Sequence, residues 1–221
     1  MTSGHATLSA AIRSESSLAR LEKRIAFLRE IDALKSILRR SYLMDTSRFE
    51  NSAEHSWHVS LMSWILAEHA PAGTDICAVA RMMLFHDIVE IDAGDTFIYD
   101  VAGTVEKAAK EQAAATRIFG LLPEDQRDEL RALWVEFETG KTPEARFARA
   151  LDRLMPLLHN YHTDGKSWRE HGIRFTQAKQ VNQVIANSSS ELWEYALALL
   201  NDAAEKGFLI DDRHTAEDIP C

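Results

Sequence analysis

Between Ser17 and Leu34 apolar side chains recur at every third or fourth position, as Leu18, Leu21, Ile25, Leu28, Ile31 and Leu34, with Arg, Lys and Glu filling the intervals. That period draws one stripe down an α-helix and does not suit a strand, whose faces alternate every second residue. Turn punctuation is sparse. Nine Gly and five Pro in 221 residues fall below the usual shares of about 7% and 5%, and no alternating pattern competes with the helical one. A second helix is expected from about Ser52 to Ala70, apolar around most of its girth and therefore central. Thr74 is the expected N-cap of a third, with Asp75 in its first turn, running through Ile76 and Phe85 to His86. A loop from Gly94 to Gly103 follows. Thr104 then caps a helix ending at Gly120, and Pro123 sits near the start of the next, which ends near Gly140. Thr142-Pro143-Glu144 opens a helix through Leu151 and Leu158, residues 161–172 read as loop, and two more helices precede a charged stretch from Asp211. The expected fold class is all-α: one helical bundle with peripheral N- and C-terminal helices. Its divisions are a flexible leader over 1–16, the helical domain over 17–208 and a C-terminal tail over 209–221.

Twenty-five Lys and Arg against thirty-four Asp and Glu leave a net charge of −9, which repels a polymeric phosphate backbone and argues against nucleic-acid binding. The longest apolar runs, such as Tyr195 to Leu200, fall far short of the ~18–20 residues that cross a bilayer, and residues 1–20 lack a basic segment leading into an apolar one. A cytoplasmic protein without membrane attachment is expected. Cys77 and Cys221 are the two cysteines and offer neither a disulfide framework nor a thiolate metal site. Nine histidines stand against them.

Four ionisable residues lie inside apolar helical runs: His55, the adjacent His86 and Asp87, and Asp152. A buried carboxylate without a partner costs several kcal/mol, so such groups are paired or bind a metal. Arg81, Arg149 and Arg153 could pair them; alternatively, two imidazoles and two carboxylates could surround one divalent cation. That donor set suits Mn, Fe, Co, Ni or Zn and cannot choose among them.

These residues resemble the HD-domain metal-dependent phosphohydrolases, whose pattern is one His, a His-Asp doublet and a distant Asp. Glu54-His55-Ser56, His86-Asp87-Ile88-Val89-Glu90, Gly94-Asp95 and Ala150-Leu151-Asp152 look like the motifs of the 5′-deoxynucleotidase group, over roughly residues 30 to 200. Members with two metals or with cyclic-nucleotide substrates place further histidines between doublet and last Asp. Residues 88–151 contain none, which implies one ion per chain. The guanosine tetraphosphate hydrolases carry Glu-Asp where this chain has Glu90-Ile91, and the triphosphohydrolases are longer and more basic. The resemblance therefore implies a hydrolase of deoxynucleoside 5′-monophosphates, with His55, His86, Asp87 and Asp152 as metal ligands. The alternatives are hydrolysis of another small phosphorylated metabolite and a metal-stabilised binding module without catalysis.

Glu90 follows Asp87 by three residues and His86 by four, so on a helical turn it projects over the same face, as an acid/base or as an acceptor orienting a ligand imidazole. The substrate phosphate needs local cations, and Arg20 to Arg40 holds seven Lys and Arg against three acids. The resemblance puts the phosphate contact on Arg40 if no gap intervenes, with Arg48 the competitor. Ser41 stands where the bacterial enzymes have Trp, leaving base stacking to Tyr42 or Phe49. Asp95 is implied near the sugar hydroxyl and the metal, as both a catalytic and a substrate-binding residue, although Asp92 and Asp95 could equally form a turn around Gly94. Glu54 is a candidate anchor for an Arg or Lys, and His58 a candidate second ligand or orienting group. His159 and His162 read as core or surface histidines, Trp134 and Trp168 as packing. A homodimer is the expected assembly.

Overall fold

The computed structural model describes residues 16–100 and 104–213. The expected leader, Ser16 excepted, and the tail beyond Arg213 lie outside the described residues. The chain begins with α1 (Ser17–Glu30), capped by Ser16, whose hydroxyl accepts a hydrogen bond from the Ala19 N–H at 3.2 Å. The helix tightens into a 3-10 segment over Ile31–Ser36.

The all-α bundle expected from the sequence is the fold observed, and the next element adds one small ribbon to it. Leu38–Tyr42 (β1) and Phe49–Asn51 (β2) pair as a two-stranded antiparallel ribbon. Its alternation is real but inverted in polarity: Arg39, Ser41 and Glu50 are buried while Leu38 is exposed. A hydropathy reading finds strands whose inner face is apolar; here that face meets a polar site.

Asn51 then caps α2 (Ser52–Ile65) in a reciprocal capping box with Glu54, each side chain accepting from the other's backbone N–H. The helix stops at Ile65, and a short 3-10 turn covers Ala67–His69. Val59 and Met62 are buried, but Trp57, Leu61, Trp64 and Ile65 are exposed, so α2 is central by one face only. The N-cap of α3 (Ile76–Phe85) is Asp75, whose carboxylate accepts from the Cys77 and Ala78 amides. Thr74, the expected cap, donates to the Pro71 carbonyl instead: a hydroxyl there closes the preceding turn, and the carboxylate one residue on reaches the orphan amides.

A one-turn helix, α4 (Glu90–Ala93), ends at Gly94, whose φ of 76° a side chain would oppose. Then come α5 (Thr104–Phe119), α6 (Glu124–Thr139) and α7 (Pro143–His162), the last capped by Thr142 with proline in its first turn. Residues 161–172 contain α8 (Lys166–Glu170), and α9 (Phe175–Asn182) and α10 (Ser190–Glu205) complete the bundle. Beyond α10, Leu209 is buried and Ile210 exchanges backbone hydrogen bonds with Ile173 and Phe175.

Helix α7 organises the core, with Phe147, Leu151, Leu154, Met155 and Leu157 buried against α2, α3, α9 and α10. A second apolar cluster joins α1, α5 and α6 around Phe27, Ile118, Phe119 and Trp134. Helix α7 also carries Pro156 in its interior. Proline has no N–H, so the carbonyl four residues earlier, that of Asp152, receives no helical hydrogen bond from it. No helix of the described residues is long and apolar enough to cross a membrane.

Candidate metal centre

Three packed helices bring donor atoms of His55, from the first turn of α2, His86, at the end of α3, and Asp152, from the middle of α7, within 4.8 Å of one another, and Asp87, next to His86, flanks the group. All four are buried. His55 Nε2 lies 3.0 Å from Asp152 Oδ1, which is 3.5 Å from His86 Nε2. Asp87 Oδ1 lies 3.1 Å from that same nitrogen. Donors held about 2.1 Å from one ion stand about 3.0 Å apart at a right angle and about 3.4 Å apart at a tetrahedral one, so these separations suit a shared cation.

The protons argue the same way. His86 Nδ1 is 2.8 Å from the Met83 carbonyl, which can only accept, so Nδ1 carries the hydrogen and Nε2 turns a lone pair inward. Nε2 is buried with no hydrogen-bond partner. His55 Nδ1 faces Glu50 Oε2 at 3.4 Å. Neither of those two atoms has a hydrogen-bond partner, while His55 Nε2 makes its contact with Asp152, where the ring nitrogen donates or accepts according to its tautomer. Nitrogen and oxygen lone pairs facing one another in a buried pocket need a cation between them. Burial pulls the His86 pKa down, but Asp87 and Asp152 outweigh it and lift the value to about 9; the field that attracts a proton attracts a metal ion. Burial lifts the Asp152 carboxyl, yet Arg153 at 3.2 Å, His55 and His86 hold it well below the carboxylate range. Arg153 is thus the partner that this Asp finds among the three candidate arginines.

Arg39 is the arginine at this centre. Its Nη1 donates to Asp87 Oδ2 at 2.6 Å and lies 4.0 Å from Glu90 Oε1 and 3.9 Å from Asp95 Oδ1, while Nε is 3.9 Å from Glu50. Burial opposes its charge, but Asp87, Glu90, Asp152 and Asp95 more than compensate and raise its pKa above the ordinary value. Arg40, the next residue along the strand, is exposed and lines the hollow adjoining this centre, and Arg48 grips Glu54 with two hydrogen bonds of 2.6 and 2.8 Å. Sequence reasoning missed Arg39 and Glu50 because both lie on the ribbon; the alternation of Leu38–Tyr42 was the signal that could have found them.

Glu90 lies beside the ligands, its Oε2 accepting from the Ser52 hydroxyl at 2.6 Å. Burial, with Asp87 adding to it, raises its pKa to about 8 against the pull of Arg39. Asp95 enters the same cavity, its carboxyl pushed up by burial and drawn down by Arg39. Asp92 is instead held by Arg117 on the surface. The cavity, of about 190 Å³, is walled by His86, Asp87, Glu90, Asp95, Asp152 and Arg39, among others. Arg39 and Asp95 also line an adjoining hollow that includes Phe97, Tyr99, Asn160 and Asn182. Tyr42 and Phe49 stack on one another, ring centroids 4.3 Å apart. Trp134 and Trp168 are buried in the core, the latter donating to the Tyr99 hydroxyl at 3.1 Å. His58 is partly buried, His159 buried and His162 exposed.

Comparison with known proteins completes the picture. The HD-domain family profile matches residues 31–193. The chain is an HD-domain protein. Within that family, of metal-dependent phosphohydrolases, it is 50% identical to the crystallised protein from Magnetospirillum magnetotacticum MS-1 described as a "predicted metal-dependent phosphohydrolase". That match covers 86% of this chain and 98% of the other, with a TM-score of 0.82. The HD-domain protein YGK1, at 16% identity and a TM-score of 0.54 over 84% of this chain and 87% of the other, shares the fold. Human 5′-deoxynucleotidase HDDC2 is 33% identical over 135 residues, 61% of this chain and 65% of the human protein. This HD domain thus spans somewhat under two thirds of that relative, and 75% of the zebrafish counterpart at 28% identity.

Proposed function

We propose that the chain hydrolyses the phosphate monoester of a deoxynucleoside 5′-monophosphate, using one divalent ion held by His55, His86, Asp87 and Asp152. The observation that carries this reading is the cluster of His55, His86 and Asp152, flanked by Asp87, beside a buried arginine and an acid with a raised pKa. An ion in that position supplies Lewis acidity towards a phosphoryl oxygen and makes water more acidic. Arg39 offers guanidinium hydrogens to the phosphate at the mouth of the same cavity, the role that the sequence divided between Arg40 and Arg48. Glu90 lines the cavity and is the proton carrier of the pair: it gives the proton that its raised pKa keeps in place to the departing 5′ oxygen and recovers one from the attacking water. Asp95, between the polar cavity and the hollow lined by Phe97 and Tyr99, is placed to accept from a sugar hydroxyl. Phe97 and Tyr99 offer apolar surface to the nucleoside.

The substrate class rests on the relatives named 5′-deoxynucleotidases. A cytoplasmic homodimer remains part of this proposal, the exposed Trp57, Trp64 and Ile65 being available to an interface. The test is orthophosphate release from a panel of deoxynucleoside and ribonucleoside monophosphates and simple sugar phosphates, with and without chelator, alongside Asp152→Ala. Chelator-sensitive turnover of the deoxynucleotides that disappears in Asp152→Ala together with the bound metal is the expected result. Turnover of sugar phosphates alone would move the chain to another small phosphorylated metabolite. A fully folded, metal-loaded protein that turns over none of them would be a binding module.

A further inference from the structure

The Glu50 oxygen that lies 3.4 Å from His55 Nδ1 also faces His159, and Glu50 groups with His58 as well, two imidazoles that the centre described above does not use. A carboxylate oxygen of Glu50 and one ring nitrogen each of His58 and His159 all lie within 4.8 Å of one another. Glu50 Oε2 stands 3.6 Å from His159 Nδ1. Glu50 is 1% and His159 2% exposed, and neither of those two atoms has a hydrogen-bond partner. A buried carboxylate oxygen and a buried ring nitrogen without partners are costly in the same way as the donors of the first centre.

The placement repeats that of the first centre. His58 follows His55 by three residues on α2, and His159 follows Asp152 by seven, two turns along the same face of α7. Each helix therefore contributes one donor to each group, and Glu50, from β2, stands between them.

We propose that Glu50, His58 and His159 hold a second divalent cation of the borderline class that accepts imidazole and carboxylate, such as zinc, cobalt or nickel. Three protein donors leave positions for water, and His58, only partly buried, gives the ion an open side.

The test counts ions. The metal-free full-length chain is equilibrated with zinc by dialysis and its metal content measured, for the wild type, His58→Gln, Asp152→Ala and the double variant, with circular dichroism confirming that each is folded. The expected contents are two equivalents, one, one and none. His58 is partly exposed, so its replacement spares the core; His159→Gln serves as an independent second variant. A wild type that saturates at one equivalent, or a folded His58→Gln that binds as much zinc as the wild type, overturns the proposal. The Asp152-dependent equivalent reports separately on the first centre.

Discussion

Asp87 is shared between Arg39 and His86: one carboxylate oxygen accepts from the guanidinium at 2.6 Å and the other lies 3.1 Å from the bare Nε2 of the imidazole. A single side chain thus ties the buried guanidinium of Arg39 to an imidazole of the proposed metal centre. Arg39→Ala leaves Asp87, Glu90 and Asp95 facing one another with that positive charge removed. The expected outcome is a rise in KM of roughly tenfold to a hundredfold, the worth of a charge-assisted hydrogen bond. In the chelated protein, stability should fall by roughly 3 kcal/mol, as when one member of a buried ion pair is removed. Steady-state kinetics and urea unfolding measure the two, and an unchanged KM would remove Arg39 from the phosphate site.

Glu90→Gln keeps the hydrogen bonding of the side chain near Ser52 and removes its capacity to carry a proton. Turnover should drop by about 10²- to 10⁴-fold while the metal content measured by elemental analysis stays at the wild-type level. A variant with wild-type turnover would leave Glu90 the role of orienting a ligand.

The same residue gives the chelated protein a pH signature. Its folded pKa of about 8 lies above the ordinary 4.5, so the folded state binds the proton more tightly than the unfolded chain does. The stability that this confers is complete below pH 4.5 and is lost as pH rises towards 8. The difference in unfolding free energy between wild type and Glu90→Gln, measured in chelator, should therefore move against the wild type across that interval and level off above it. A flat difference would mean that Glu90 is ionised throughout.

Gly165 precedes α8 with a φ of 66°, and a Cβ built there would stand 2.5 Å from Phe208 Cβ and 2.8 Å from its carbonyl oxygen. Gly165→Ala should lower stability by about 3 kcal/mol, through overpacking and a left-handed backbone that side chains resist. Thermal unfolding checks this, and a melting temperature equal to that of the wild type would contradict it.

The helical frame was readable because its segments bury one apolar stripe, and Thr142 caps α7 as its Thr-Pro-Glu start announces; the cap of α3 fell one residue on, at Asp75, because Thr and Asp side by side both offer a capping oxygen. His55, His86, Asp87 and Asp152 stood out as ionisable residues in apolar surroundings. Arg39 and Glu50 did not, because a strand whose inner face is charged looks in sequence like a polar loop. His159 read as an ordinary core histidine, since only the fold brings it opposite Glu50. Choosing between Arg39 and Arg40 needs strand register, and neighbouring residues of identical type carry no record of which one points inward.

The missing rung beneath Asp152 gives α7 a mechanical property. Bending there breaks no hydrogen bond, because Pro156 never supplied one. Helix α7 is therefore most compliant within one turn of Asp152, the proposed ligand, and elsewhere it is stiffened by its ladder and a packed core. Pro156, with Arg153 and Leu157, also lines the hollow beside the polar cavity, so movement at that joint is felt at Asp152 and in the hollow together.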